Sequence, residues 1–210
     1  MTAGPIAAEQ PATFAFTPEN LEKADALIAK YPAGRGQSAV MGLLDLAQRQ
    51  HDNWIPMAAI EVIGEKLDMA PIRVLEVATF YSMYNLAPVG AYYLQACRTT
   101  PCWLRGSDSV IKAIKDRLGI ANKGMSADGK FSLLEVECLG ACANAPILQV
   151  NDDFYEDLDY DKTVSLLDAL ARDVVPTPGS MAGRTGAMPA PGATSLTKLA
   201  GQETSAAGED

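Results

Sequence analysis

Apolar residues recur at helical spacing through the first half of the chain, in four runs that each begin near a proline or a hydroxyl side chain. Thr17 is placed to cap the first run, with Pro18 at its first position and Leu21, Ala24, Leu27 and Ile28 along one stripe. The stretch Y-P-A-G-R-G ends it. A second helix is expected from about Ser38, with Val40, Leu43, Leu44 and Ala47 on one face. Pro56 opens a third, carrying Ile60, Ile63 and Leu67. Pro71 opens a fourth, carrying Val74, Val77 and Ala78 before the aromatic run Phe80, Tyr81 and Tyr84. Short connections between these runs predict a small antiparallel bundle over residues 14–88.

After residue 88 the period changes. A-Y-Y-L-Q-A is a compact apolar run that reads as a strand ending at Cys97. Ser107 or Asp108 can cap a helix through Leu118, with Val110, Ile111 and Ile114 inward. F-S-L-L-E-V-E reads as a second strand ending at Cys138, and I-L-Q-V-N and F-Y-E-D-L flank the turn N-D-D as a hairpin. Asp159 or Asp161 can cap a last helix through Ala171, with Val164, Leu167 and Leu170 inward. The expected fold class is therefore α+β: a helical bundle followed, over residues 89–175, by an α/β layer with a mixed four-stranded sheet. Its β-α-β-β-α order is that of the minimal thioredoxin-like core. Residues 1–13 are Ala/Pro-rich and expected to be flexible. Residues 176–210 hold no aromatic, Val or Ile, so they offer little apolar surface to offset ordering entropy. They are read as a flexible, disordered tail whose removal should leave the rest intact.

Composition narrows the function. A net charge of −9 argues against a nucleic-acid partner, whose phosphates call for a basic surface. No apolar run approaches the ~20 residues of a bilayer span. No basic, then apolar, leader precedes the first helix, so a reducing compartment is expected. There, clustered cysteines are more often metal ligands or redox groups than disulfides.

The chain has four cysteines. They form two pairs, Cys97 and Cys102 in C-R-T-T-P-C, and Cys138 and Cys142 in C-L-G-A-C. Each pair follows a strand, and in open α/β sheets sites collect at the carboxyl ends of strands. Each is also close enough in sequence to chelate one metal atom. A [2Fe–2S] cluster needs two thiolates on each iron, which assigns Cys97 and Cys102 to one iron and Cys138 and Cys142 to the other. Gly140, Ala141 and Ala143 would let backbone N–H groups approach an anionic cluster. Thr99 and Thr100 are candidate donors to sulfur, Arg98 and Arg105 candidate counter-charges, and Trp103 a candidate shield or core residue. A structural Cys₄ zinc site uses the same donors, although its usual spacing is C-x₂-C. Two disulfides or a dithiol redox pair also remain open at this point. No residue is singled out as catalytic. The acidic stretch Asp152, Asp153, Glu156 and Asp157 reads as a solvated hairpin.

These motifs together resemble a known family. C-x₄-C followed by C-L-G-A-C-A-N-A-P, with E-V-A-T-F-Y-S-M-Y before it and V-N-D-D-F-Y-E-D-L after it, is similar to the thioredoxin-like [2Fe–2S] subunit of respiratory complex I, the NADH:quinone oxidoreductase. The resemblance runs from about Phe14 to Ala171. It implies one [2Fe–2S] cluster on Cys97, Cys102, Cys138 and Cys142 that exchanges single electrons with FMN on a neighbouring flavoprotein subunit, which also binds NADH. A larger iron–sulfur subunit is a further implied partner. The chain would then be a subunit of NADH dehydrogenase that does not itself bind NADH. Its implied location is peripheral, on the cytoplasmic or mitochondrial matrix side of the energy-transducing membrane. The equivalent subunit of an NAD-linked hydrogenase or formate dehydrogenase, and a zinc-stabilised interaction module, are the alternatives. The absence of a G-x-G-x-x-G or P-loop motif fits a carrier rather than a complete catalyst.

Overall fold

Thr17, Pro56 and Pro71 stand at the starts of three helices of the first half of the chain. The computed structural model describes residues 6–189, 191, 192, 194 and 195. Its first unit spans Met1–Ala91 and its second Tyr92–Asp210. In the first, the Thr17 hydroxyl accepts the Asn20 N–H at 3.3 Å, and α1 runs Pro18–Ile28. A single 3-10 turn, Gly36–Ala39, leads into α2, Val40–Gln50. Helix α3 spans Met57–Leu67 and α4 Pro71–Phe80. The expected inward faces form the core: Leu43, Leu44, Ala47, Ile60, Ile63 and Val74 are fully buried.

The aromatic run after α4 divides. Tyr84 is buried and donates to the Met41 carbonyl at 2.9 Å, whereas Phe80 is 80% exposed and Tyr81 and Met83 are also exposed. The chain beyond Phe80 is held to α2 by the buried Gln48 side chain. Its amide donates to the Met83 carbonyl at 3.1 Å, and its oxygen accepts the Asn85 N–H at 2.7 Å. His51 is the C-terminal cap of α2, its ring edge-on to Trp54. Residues 6–13, expected to be flexible, make specific contacts. The Ala7 N–H donates to Leu86 O at 2.9 Å, and the Gln10 side chain accepts the Met57 N–H, one of the open donors of the first turn of α3.

In the second unit, β1 (Tyr92–Cys97) pairs in parallel with β2 (Phe131–Val136) and antiparallel with β3 (Leu148–Val150), which forms a hairpin with β4 (Asp153–Glu156). A short helix, α5 (Thr100–Leu104), and a longer one, α6 (Ser107–Leu118), lie between β1 and β2; α7 (Tyr160–Ala171) follows β4. Asp159 caps α7 by accepting the Lys162 N–H at 2.8 Å. For α6 the cap is Gly106, in the left-handed region at φ 99°, so Ser107 is the first helical residue rather than the cap. Helices α6 and α7 pack together, and their apolar faces close a core of Leu94, Ile114, Phe131, Leu133, Leu148, Leu166 and Leu167.

Among the described residues the sheet has five strands rather than the expected four, in the order β2-β1-β3-β4-β5, with β5 at Gly179–Ser180. This fifth strand pairs in parallel with β4. A Gly-Ser pair carries no apolar alternation, so its pattern gives no strand signal; backbone pairing and the Ser180 hydroxyl, which donates to Asp157, hold it in place. Residues 176–189, expected to belong to a flexible tail, are thus part of the described fold. Residues 190, 193 and 196–210 of that tail lie outside the described residues. Among the described residues no helix is long and apolar enough to cross a membrane.

Gln48→Ala removes both bonds to the Met83–Asn85 segment and leaves the Asn85 N–H, in a buried residue, without its acceptor. The expected cost is about 1–3 kcal/mol, read as a lower denaturant midpoint at unchanged slope. An unchanged midpoint would mean that Gln48 does not anchor this segment.

Candidate metal centre

Parallel pairing of β1 with β2 places Cys97 directly opposite Val136. The loops that leave these two strands therefore start side by side at one end of the sheet. Cys97 is the last residue of β1. Cys102 sits inside α5, a helix not expected from the sequence because five residues are too few to show a period. Cys138 lies two residues beyond β2, and Cys142 opens a 3-10 turn, Cys142–Asn144. The peptide bond Ala145–Pro146 that follows is cis. Cys97 and Cys102 are buried, Cys142 is half-buried and Cys138 is exposed.

Polar groups of each loop act on the sulfurs of the other. The Thr99 hydroxyl lies 3.3 Å from Cys97 Sγ, and it also lowers the Cys138 thiol in the other loop. In return, the Leu139 peptide of the second loop lowers the Cys97 thiol. The Ile147 peptide acts to lower Cys102 and the Gly140 peptide to lower Cys138. Gly140 sits at φ 88°, a backbone region that a side chain would strain. Cys138 Sγ and Cys142 Sγ are 3.4 Å apart.

The thiols respond in pairs. Burial pushes Cys97 up, but the donors from Thr99, Leu139 and Cys102 outweigh it and hold the thiol below its ordinary value. Burial, and then the proton given to Cys97, push Cys102 up to about 12. The Gly140 N–H, followed by Cys142 and Thr99, hold Cys138 low; Cys142 is raised, chiefly because it donates to Cys138. Each pair thus holds one sulfur poised as acceptor and one as donor. The negative charge of Cys97 is felt at both Cys138 and Cys142, so all four sulfurs share one neighbourhood. Among the described residues, no three His, Cys, Asp or Glu side chains converge on a point that could hold one metal ion.

Several side chains differ from expectation. Arg98 is not a free counter-charge: it pairs with Glu135 at 2.7 Å and Asp108 at 3.0 Å. Trp103 is 56% exposed and Leu104 70%, so neither belongs to the core. Arg105 lines a cavity of about 530 Å³ together with Cys142, Pro146, Lys162 and Arg184. The acidic hairpin is only partly solvated. Asp157, in the left-handed region at φ 55°, is paired with Arg184 and shielded from water, and Glu156 accepts from the Asn144 side chain at 2.6 Å. Sequence reasoning misses these partners because Arg184 stands in a stretch whose composition carries no folding signal.

Known proteins match both the chain along most of its length and this site region. The family model of the thioredoxin-like [2Fe-2S] ferredoxin matches residues 24–171. An NADH-quinone oxidoreductase subunit of Rickettsia bellii is 52% identical over 160 residues, covering 76% of this chain and 96% of that protein. Its counterpart in Rickettsia typhi is 51% identical over 162 residues, covering 77% and 95%. Among solved structures, an air-oxidised NAD⁺-reducing [NiFe]-hydrogenase is similar at a TM-score of 0.55 and 18% identity. That likeness, which speaks to the fold alone, covers 63% of this chain and 23% of the hydrogenase chain. Through its sheet, its paired cysteine loops and these matches, the chain belongs to the thioredoxin-like [2Fe–2S] ferredoxin family, alongside the corresponding subunits of NADH-quinone oxidoreductases.

Proposed function

We propose that the chain is the electron-transfer subunit of an NADH:quinone oxidoreductase that lies next to its flavoprotein. In this reading it holds one [2Fe–2S] cluster on Cys97, Cys102, Cys138 and Cys142 and exchanges single electrons with FMN on that neighbour. The observation that carries it is two cysteine pairs on loops that leave adjacent parallel strands, in a chain 52% identical to an NADH-quinone oxidoreductase subunit over 96% of that protein's length.

The donor set fits the cluster better than a zinc ion. Tetrahedral zinc needs four sulfurs about 2.3 Å from one point. Here Cys138 pairs with Cys142 at 3.4 Å and Cys97 with Cys102, a grouping that suits two irons. When bound, the cluster supplies one-electron redox chemistry. The chain's own part is to hold and surround it. The peptides of Leu139, Gly140 and Ile147 and the Thr99 hydroxyl act to favour negative charge on the sulfurs. Such donors favour the more negative, reduced state. Buried Cys97 and Cys102 keep one side from water, while exposed Cys138 leaves the other near the surface, where a flavin on another chain can approach. The larger iron–sulfur subunit completes the proposed assembly. Its place is peripheral to the energy-transducing membrane, on the cytoplasmic or matrix side.

Electron paramagnetic resonance on the dithionite-reduced protein tests the cluster. A rhombic S = 1/2 signal is expected; a colourless protein with stoichiometric zinc would remove the redox reading. Cys138→Ala should abolish that signal, and a variant with a normal signal would refute its role as ligand.

Reduction by NADH tests the partner. The isolated chain should stay oxidised with NADH alone and become reduced once a flavoprotein carrying FMN is added. Direct reduction of the isolated chain by NADH would overturn the assignment of the flavin to another chain.

Because a cluster binds the folded chain and not the unfolded one, its removal by a chelator should lower the melting temperature of the protein. Equal melting temperatures with and without it would show that the folded chain does not bind the cluster in preference to the unfolded one.

A further inference from the structure

Polar contacts tie residues 180–188 to the loop that carries Cys142. The Arg184 guanidinium grips Asp157 with both ends of its fork, through Nε at 2.9 Å and through Nη2. Its remaining donors reach the Met188 carbonyl at 3.1 Å and the Ala143 carbonyl at 3.3 Å. The Asn144 side chain donates to the Gly186 carbonyl at 2.7 Å. Asp157 in turn donates its backbone N–H to the Asn144 carbonyl at 2.7 Å and accepts from the Ser180 hydroxyl at 2.6 Å. Ahead of this network, the Tyr155 hydroxyl donates to the Pro176 carbonyl and β5 pairs with β4. Ala143 and Asn144 directly follow Cys142, so the network fixes the backbone from which that thiol projects.

We infer that residues 176–188 are a strap that positions the second cysteine loop, with Arg184 as the positioning residue. The inference rests on the reading of Cys142 as a cluster ligand, and the strap lies beyond residue 171, where the family match ends. The ion pair at its centre is sheltered: the Arg184 and Asp157 side chains are 14% and 10% exposed. At that burial, removing one partner strands the other charge. The planar fork matters as well as the charge. One guanidinium satisfies a bidentate carboxylate and two carbonyls at once, which an ammonium cannot do. Arg184 therefore acts on the centre through Ala143 and Asp157, without touching a sulfur.

This reverses the expectation that the chain after Val175 can be removed without effect on the site. The test compares the full chain with Arg184→Ala, Arg184→Lys and a truncation after Val175. Arg117→Ala, which breaks a surface pair with Asp168 in the same unit, serves as control. Two readouts apply: hydrogen exchange of the Asp157 amide in the metal-free protein, and the g-values and rate of cluster loss to a chelator in the loaded protein. Arg184→Ala and the truncation should exchange faster at Asp157, shift the g-values alike, and lose the cluster about 10–100-fold faster. Arg184→Lys should fall between them and the unaltered chain, while Arg117→Ala should match the unaltered chain throughout. If Arg184→Ala does not fold, Arg184→Lys decides. Unaltered exchange and g-values in whichever Arg184 variant folds would overturn the strap. If the unaltered chain binds no cluster, the ligand reading fails instead, and amide exchange alone still judges the strap.

Discussion

The register of β1 against β2 is the constraint on which the site depends. Cys97 faces Val136 across the parallel ladder, and the ladder continues one step past the strand, where the Arg98 N–H reaches the Val136 carbonyl at 3.1 Å. Both cysteine loops therefore begin at the same height on adjacent strands. A slip of one residue would turn every side chain of β1 to the opposite face. It would take Leu94 and Ala96 out of the core and carry Cys97 away from Thr99 and Leu139. The apolar faces buried under α6 and α7 hold that register, so the packing of an ordinary α/β core also sets the separation of the sulfurs. The chemistry of the site is thus inherited from hydrophobic burial some distance away.

From strand ends to sulfurs, the local arrangement follows from donors rather than from charges. The thiols are acted on by the peptides of Leu139, Gly140 and Ile147 and by the Thr99 hydroxyl. Glycine at 140 allows the second loop its φ of 88°, and its peptide lowers the Cys138 thiol. The arginine that the sequence offers as a counter-charge, Arg98, instead joins a three-residue ion pair with Asp108 and Glu135, which ties the first loop to α6 and β2.

Much of this was legible in the chain because its helices and strands announce themselves locally. Thr17 and Asp159 are caps in the structure, and the apolar stripe of Leu43, Leu44 and Ala47 is the buried face of α2. The cysteine pairs could be placed at strand ends because apolar runs stop there. What escaped has no local periodicity. Helix α5 is five residues long, β5 is two, and the strap is held by single polar contacts between residues about as far apart as Asp157 and Arg184. Composition read Pro176 onward as unable to fold by itself, which is sound reasoning about apolar burial. It misses a segment that is ordered by hydrogen bonds to a domain already built. The same holds for residues 6–13, whose Gln10 fills an open donor of α3.

Because Arg98 is committed to two carboxylates, its positive charge is already cancelled beside the first cysteine loop. At buried Cys97, negative charge is then met by peptide and hydroxyl dipoles. Dissolved ions screen exposed side-chain charges over roughly 10 Å at 0.1 M salt, but they cannot rearrange dipoles fixed in a folded loop. The electrical surroundings of buried Cys97 and Cys102 are accordingly less open to changes in the ionic composition of the solution than those of exposed Cys138.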